Sequence, residues 1–350
     1  MKVLISKVNQ LGDNVVFLPV VQALIRDLGR ENVTVATTPT ASGLYEGLLP
    51  ESQLVIHDRS EFLTSWKNPF RFFHHMRQWR AIFPDAVLVP FDQGNVPRLL
   101  ASLSGAGIRC GAQNPSVVSN PCLNHLVAPK MEDNVATREW DLYRFFAKVS
   151  GSNPETSSKP PRPDFGHLTG NPLRDRETVF IHPGASHSVK QWPIERFTEL
   201  ANHLSRTKKV IWSEQRLPAE SGLSPEVVIQ PMGTLKELIQ QIAISGLFIG
   251  NNSGPLHLAV ATGTPTFTFA GPAPVEWDPF WDQEKHISLR SPALKCQPCA
   301  TVTRGVTECS NREAPLACMM HWSTSIVLEM VESHLNRCWK PEQKIVAAHG

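Results

Sequence analysis

Two α/β domains, each built on a mainly parallel, doubly wound sheet, are what this sequence predicts. Short apolar runs alternate with segments of helical periodicity, the rhythm of strand, helix, strand. That rhythm stops at a proline- and serine-rich stretch near the middle of the chain and then restarts. A length of 350 residues also exceeds one ordinary domain.

Bulk composition narrows the class. Hydrophobic residues make up 41% and charged residues 19%, ordinary for a globular protein. A net charge of +2 makes no case for a nucleic-acid partner, so any basic surface has to be local. No apolar run approaches the ~20 residues of a membrane span. The opening MKVLISKVNQ lacks a signal-peptide core before Asn9, Gln10 and Asp13 interrupt it. The seven cysteines are an odd number. A cytoplasmic protein with reduced thiols is the expectation.

Residues 3–6 read as a first strand and 7–14 as the loop after it. Helical spacing follows over 15–28, with Val16, Val20, Leu24 and Leu28 four apart. Pro19 lies inside that pattern, which moves the expected helix start toward Leu18. Further strands are predicted at 33–36, 54–56 and 86–89. The first loop lacks GxGxxG, so a conventional NAD site is disfavoured. Residues 59–80 differ from their surroundings: Arg59, Lys67, Arg71, Arg77 and Arg80 face a single acid, Glu61, with Trp66, Phe70, Phe72, Phe73 and Trp79 between them. Such a segment either grips a phosphorylated ligand, lies on an anionic membrane surface, or is a plain amphipathic helix with its aromatics in the core.

Residues 151–163, GSNPETSSKPPRP, are the expected linker. The predicted domains are 1–160 and 161–350, with a C-terminal helix expected to pack back on the first. Past the linker, strands are expected at 178–181, 209–212 and 227–229. A helix is expected at 195–204, and another from Thr234 with Leu235, Leu238, Ile239 and Ile242 as its apolar stripe. A buried strand at 247–249 then leads into Asn251-Asn-Ser-Gly254, where Ser253 or Gly254 can cap a helix carrying Pro255 in its first turn. Gly263 stops that helix, and 264–269 form the next strand. Free backbone N–H groups at a helix start beside a strand's carboxyl end are where α/β proteins bind phosphate.

Three stretches carry a family resemblance: VLISKVNQLGDNVVFLPVVQAL, HPGASHSVKQWPIERFTELANHL and NNSGPLHLAVATGTPTFTFAGPAPVEWDPF. In their order and spacing the sequence resembles glycosyltransferase family 9, the bacterial lipopolysaccharide heptosyltransferases. The resemblance implies a GT-B architecture, two Rossmann-like domains facing across a cleft, with the nucleotide-sugar donor held mainly by the C-terminal one. It implies heptose transfer from ADP-heptose to a lipopolysaccharide core or lipid A precursor, with inversion at the anomeric carbon and no catalytic metal. By the same likeness Asp13 falls at the general base and Lys190 at a donor-diphosphate contact. Ser253, Gly254 and Pro255 fall at the phosphate-side turn, with Ser186 and His257 near the donor and Glu214 at the nucleotide ribose. Many relatives have Asp where this chain has Asn252, which bears on the donor sugar. The basic segment is then the acceptor side, in peripheral contact with the cytoplasmic face of the inner membrane.

The chemistry fits the residue types. A departing diphosphate leaves negative charge that, without a metal, fixed positive groups must meet. Lys190 offers a full charge and the helix near Ser253 about half a charge of backbone donors. A carboxylate facing them can take the acceptor's proton. For Asp13 the alternative is a helix cap, and for Lys190 a solvated surface lysine. His257 reads either as a packed core histidine or as a donor contact. His182 and His187 have no diagnostic spacing and read as structural or surface histidines. Cys296, Cys299, Cys309 and Cys318 crowd a short window, and their thiolates could hold a structural zinc or iron, against the alternative of free thiols. Two competing functions are a GT-B-like nucleotide-sugar epimerase and a nucleotide-sugar binder without turnover. A family 9 transferase with another donor sugar or a protein acceptor is a third.

Overall fold

The computed structural model describes residues 1–152, 157–170, 172–213, 217, 222–231, 233–302 and 304–339. The first half runs β1 (Val3–Ser6), α1 (Leu11–Leu28), β2 (Val33–Thr37), α2 (Pro39–Ser42), β3 (Leu54–Ile56), α3 (Arg59–Thr64), α4 (Pro69–Ala81), β4 (Ala86–Val89), α5 (Asn95–Leu103), β5 (Ile108–Ala112), β6 (His125–Val127) and α6 (Val135–Val149). The second runs α7 (Gly166–Thr169), β7 (Asp175–His182), α8 (Ile194–Leu204), β8 (Lys209–Ser213), β9 (Val228–Gln230), α9 (Leu235–Ile244), β10 (Ser245–Asn251), α10 (Gly254–Ala261), β11 (Thr266–Phe269), β12 (His286–Leu289), α11 (Ala317–Met320) and α12 (Thr324–Cys338).

The strands form two parallel sheets, ordered β3-β2-β1-β4-β5-β6 and β12-β11-β10-β7-β8-β9. Both have the same topology, because β7 to β12 repeat the order of β1 to β6. β1, β4 and β10 are buried along their whole length, as expected of strands covered by helices on both faces. The order reverses between β1 and β4 and again between β7 and β10. At such a reversal the two outgoing loops diverge and leave a crevice at the carboxyl ends of the strands.

Where α1 begins is the main departure from expectation. The helix starts at Leu11 and keeps Pro19 in its interior, at the loss of one backbone hydrogen bond. Its compensation is burial: Val15, Phe17, Leu18 and Val21 are wholly enclosed, and α1 packs directly on α10. One apolar cluster therefore joins α1 residues such as Phe17 and Val21 to Phe248, Leu256 and Val260 of the second half. The approach is close. A Cβ at Gly12 would meet His257 Cδ2 at 2.7 Å, and one at Gly254 would meet Leu11 Cβ at 3.2 Å.

Among the described residues, α12 stays on the second domain and not on the first, where the sequence places it. It packs on α8, and Val327, Val331 and Leu335, each four apart, enter the second sheet's core with Leu200 and Leu204. The basic aromatic segment divides. Asn68 caps α4 by accepting from the N–H groups of Phe70 (3.0 Å) and Arg71 (3.3 Å). Phe62 and Trp79 are fully buried, whereas Trp66, Phe70 and Phe73 are 62%, 86% and 55% exposed. The outer face of α4 thus presents aromatic rings to solvent beside Arg77 and Arg80.

Candidate active site

Both sheet reversals face the same space. On the first domain's side, Asp13 lies in the first turn of α1, after the β1 loop. Buried Asn14 fixes that loop: its Nδ2 donates to Asn9 O (3.2 Å) and Gln10 O (2.9 Å), and its Oδ1 accepts from Thr37 Oγ1 and Tyr45 OH, both at 2.9 Å. Just behind Asp13, fully buried Lys7 donates from Nζ to Asp92 Oδ2 at 2.7 Å and to Glu139 Oε1 at 2.8 Å. Asp92 stands just past β4, so this cluster occupies the reversal crevice of the first sheet.

On the second side, Asn251 ends β10 and ties the loop after β7 to it. Its Nδ2 donates to Pro183 O (2.8 Å) and its Oδ1 accepts from Trp192 N (2.9 Å). The Trp192 ring is buried, stacks on Phe269 at 4.3 Å, and donates Nε1–H to Trp322 O. The Lys-x-Trp-Pro sequence is thus an anchor: Trp192 and Asn251 hold the strap that carries Lys190. Ser253 is the residue before α10, but its hydroxyl donates back to Asn251 O (3.3 Å) and leaves the first-turn N–H groups uncapped. Neither α10 nor α1, preceded by Gln10, has a side-chain cap. Asn252 is buried with its Nδ2 unpartnered among the described residues.

Charge draws these groups together. Lys190 and Asp13 sense each other across the two domains, and burial lowers the proton affinity of Lys190 while Asp13 opposes it. Asp13 is partly accessible. Burial first, then the neighbouring Asp92 carboxyl, raises it to about 7, against the pull of Lys7 and Arg59. His257 is pushed down to about 4 by burial and then by Lys190, so it is neutral near pH 7, with its ring edge-on to Trp277 at 5.4 Å. His182, at the end of β7, is likewise held near 4 by burial.

Of the residues singled out in the sequence, Asp13, Arg59, Lys190 and His257 therefore converge electrostatically. Asn252, Ser253, Gly254 and Pro255 form the turn and first residues of α10 beside them. Ser186 sits exposed in the loop between β7 and Lys190, and Glu214 lies outside the described residues. Lys67 lies over the exposed Trp66 ring, and Arg71 pairs with Glu61 at 3.1 Å on the surface. Arg77 and Arg80 are farther along α4, where with Phe83 and Asp85 they line an open groove of about 670 Å³. That groove is at the strands' amino-terminal end, away from the crevices. Cys296, Cys299, Cys309 and Cys318 surround one small cavity beside Gly271 and Pro272, all as free thiols. Cys309 Sγ accepts from Leu316 N at 3.3 Å. Among the described residues no three potential ligands are drawn together closely enough to hold a metal ion. Lys7, Asp92 and Glu139 escaped sequence reasoning. A lysine ending a buried strand and an acid just past another were their only signals.

The sequence model described as glycosyltransferase family 9 (heptosyltransferase) matches residues 108–306. Lipooligosaccharide heptosyltransferase 2 of Campylobacter jejuni subsp. jejuni serotype O:2 is 30% identical over 148 residues, covering 38% of this chain and 46% of that protein. The chain spans about half the length of the curated relatives it matches. E. coli heptosyltransferase WaaC, solved with ADP-2-deoxy-2-fluoro heptose, superimposes with a TM-score of 0.67 at 16% identity, over 95% of this chain and 99% of that one. E. coli ADP-heptose lps heptosyltransferase II gives 0.65 at 15% identity, over 96% and 99%. The likeness to these structures is one of fold, the GT-B arrangement of two doubly wound domains.

Proposed function

This chain belongs to glycosyltransferase family 9, and from that premise we propose that it is an inverting transferase moving heptose from ADP-heptose to a lipopolysaccharide inner core. The observation that carries the reading is the convergence of Asp13 from one domain with Lys190 and the uncapped start of α10 from the other. In this reading Lys190 and the α10 N–H groups meet the charge that builds on the departing diphosphate, without a metal. Asp13 takes the proton of the attacking hydroxyl from the opposite face, the geometry inversion needs. The Asn252, Ser253, Gly254 and Pro255 turn holds the phosphates, and His257, neutral and buried, shapes the wall beside them. Ser186 and Glu214 complete the donor side.

Arg59, close to Asp13, is the acceptor contact nearest the chemistry. Lys67, Arg71, Arg77 and Arg80, with the exposed rings of Trp66, Phe70 and Phe73, make a face that rests on anionic lipid. Among the described residues no helix is long and apolar enough to cross a membrane. We propose further that the four-cysteine cavity takes a structural zinc or iron, with its thiolates drawn together on binding. Metal analysis of protein purified without added metal checks it, and absence of near-stoichiometric metal refutes it.

Incubation with ADP-heptose and a core-lipid acceptor, followed by mass analysis of both, tests the main reading. One heptose added to the acceptor is expected. An altered nucleotide sugar with an unchanged acceptor would instead show an epimerase. The unpartnered Asn252 amide favours one variant, a donor sugar other than heptose, which a panel of ADP- and UDP-sugars scored by thermal shift would expose: a ligand at about 100 times its Kd adds ~2.7 kcal/mol.

A further inference from the structure

Lys7 is a fully buried cation shared by two carboxylates, and neither is the one that faces the cleft. Its Nζ lies 2.7 Å from Asp92 and 2.8 Å from Glu139. Asn9 Nδ2 also donates to Asp92 Oδ2, and Gln93 Nε2 donates to Asp92 Oδ1 at 3.3 Å. Asp92 is therefore held from three directions. Asp13, by contrast, makes no ion pair among the described residues, yet its carboxyl is within hydrogen-bonding reach of Asp92. Two carboxyls can share a hydrogen bond only when one of them carries a proton.

We propose that Asp92 is a positioning residue for Asp13: pinned by Lys7 and Asn9, the Asp92 carboxylate receives a hydrogen bond from Asp13 once Asp13 has taken the proton of the attacking hydroxyl. The proposal rests on reading Asp13 as the base of the transfer.

The step balances. The acceptor oxygen forms the new bond to the anomeric carbon. The bond from that carbon to the β-phosphate oxygen breaks, and its electron pair leaves with the diphosphate. The hydroxyl proton passes to Asp13, whose O–H then points at Asp92. Before the step, three carboxylates (Asp13, Asp92 and Glu139) surround one ammonium in a poorly hydrated crevice, and afterwards one of them is neutral. Relief of that repulsion makes Asp13 a stronger base than an ordinary carboxylate. Had Lys7 paired with Asp13 itself, it would have weakened the base. Glu139 keeps it from doing so by holding the ammonium on the far side.

The charged groups around Asp13 come from every neighbouring element: Lys7 at the end of β1, Asp92 after β4, Glu139 on α6, Arg59 on α3 and Lys190 on the second domain. Arg59, Lys7 and Lys190 favour the ionised form, and the two acids and burial oppose it. Burial and the acids outweigh the cations, and the balance runs toward the neutral carboxyl, in agreement with the geometry.

Carboxyl ¹³C NMR on protein labelled at aspartate tests this without substrate, so its outcome is separate from that of the transfer assay. In the wild type the Asp13 and Asp92 carbons, assigned with Asp13→Asn and Asp92→Asn, should share an inflection near neutral pH. An Asp92 carbon that does not respond where Asp13 titrates overturns the proposal. Asp92→Asn should lower the Asp13 midpoint by a unit or more and move the acid limb of kcat the same way. It should reduce the plateau rate at least ~10-fold, with the ADP Kd unchanged. Glu139→Gln should move the midpoint in the same direction but less, because Lys7 stands between. A loss of rate in Asp92→Asn with neither midpoint nor limb displaced would make Asp92 merely structural.

Discussion

Replacing Asp13 by asparagine should stabilise the protein at alkaline pH while it disables turnover. In the folded state the carboxyl keeps its proton up to about 7, against 3.8 in an unfolded chain. A raised carboxyl pKa means that folding favours the protonated form. Its contribution is harmless below pH ~4, and ionisation costs stability increasingly as pH climbs from there to 7. About three pKa units at 1.36 kcal/mol each set an upper bound of ~4 kcal/mol at pH 8. Asp13 is partly open to the cleft, where solvent screens its charge, so about half of that, ~2 kcal/mol, is the expected gain. The neutral amide of Asp13→Asn removes the cost. For a chain of this size the melting temperature should rise by roughly 2–6 °C at pH 8 and not at all at pH 4.5. Scanning calorimetry of both proteins at the two pH values measures it, and kcat should fall by at least ~10². A variant no more stable than wild type at pH 8, or one stabilised equally at both pH values, would refute the reasoning.

Lys190→Met should weaken ADP binding by ~10–100-fold, the worth of one hydrogen bond to a charged group, with little change in melting temperature because Lys190 makes no ion pair among the described residues. Calorimetric titration with ADP decides it, and an unchanged Kd removes Lys190 from the donor site. Gly12→Ala drives a methyl into the His257 ring, only 2.7 Å away, and should destabilise by ~1–3 kcal/mol in denaturant unfolding; a neutral result would mean that α1 and α10 separate easily. Arg77→Glu with Arg80→Glu should reduce co-sedimentation with anionic vesicles and leave ADP affinity alone. Equal loss of both would show that α4 is simply structural.

The buried strands were legible because continuous apolar runs have few other uses. β5, β6 and β12 were not, since Ile108-Arg-Cys-Gly-Ala, His125-Leu-Val and His286-Ile-Ser-Leu mix polar and apolar residues without a clean alternation. β6 and β12 are also sheet edges, which need less burial. Pro19 pointed to a later start for α1, because local propensity cannot see the partner helix in the other domain whose packing offsets the lost bond. At the candidate site, Asp13 and Lys190 were singled out by resemblance to the family's Gly-Asp loop and Lys-x-Trp-Pro stretch, which are local in sequence. The Lys7, Asp92 and Glu139 cluster was not, since Lys7 meets acids 85 and 132 positions away and only the sheet topology unites them. Ser253 was rightly placed as the residue before α10, but its hydroxyl turns back to Asn251 instead of capping.

The seam between α1 and α10 has a consequence for the chain as it leaves the ribosome. α1 is complete early, while the helix it packs against is not made until most of the remaining sequence has been translated. At ~5–20 residues per second that interval is roughly 10–45 s. Throughout it, the side of α1 where Leu11 and Gly12 meet Gly254 and His257 has no α10 to cover it, and the first sheet can close only around part of its core. Such a surface is what holding chaperones bind. A translation pause or truncation between the two sheets should therefore yield an aggregating fragment rather than a soluble half.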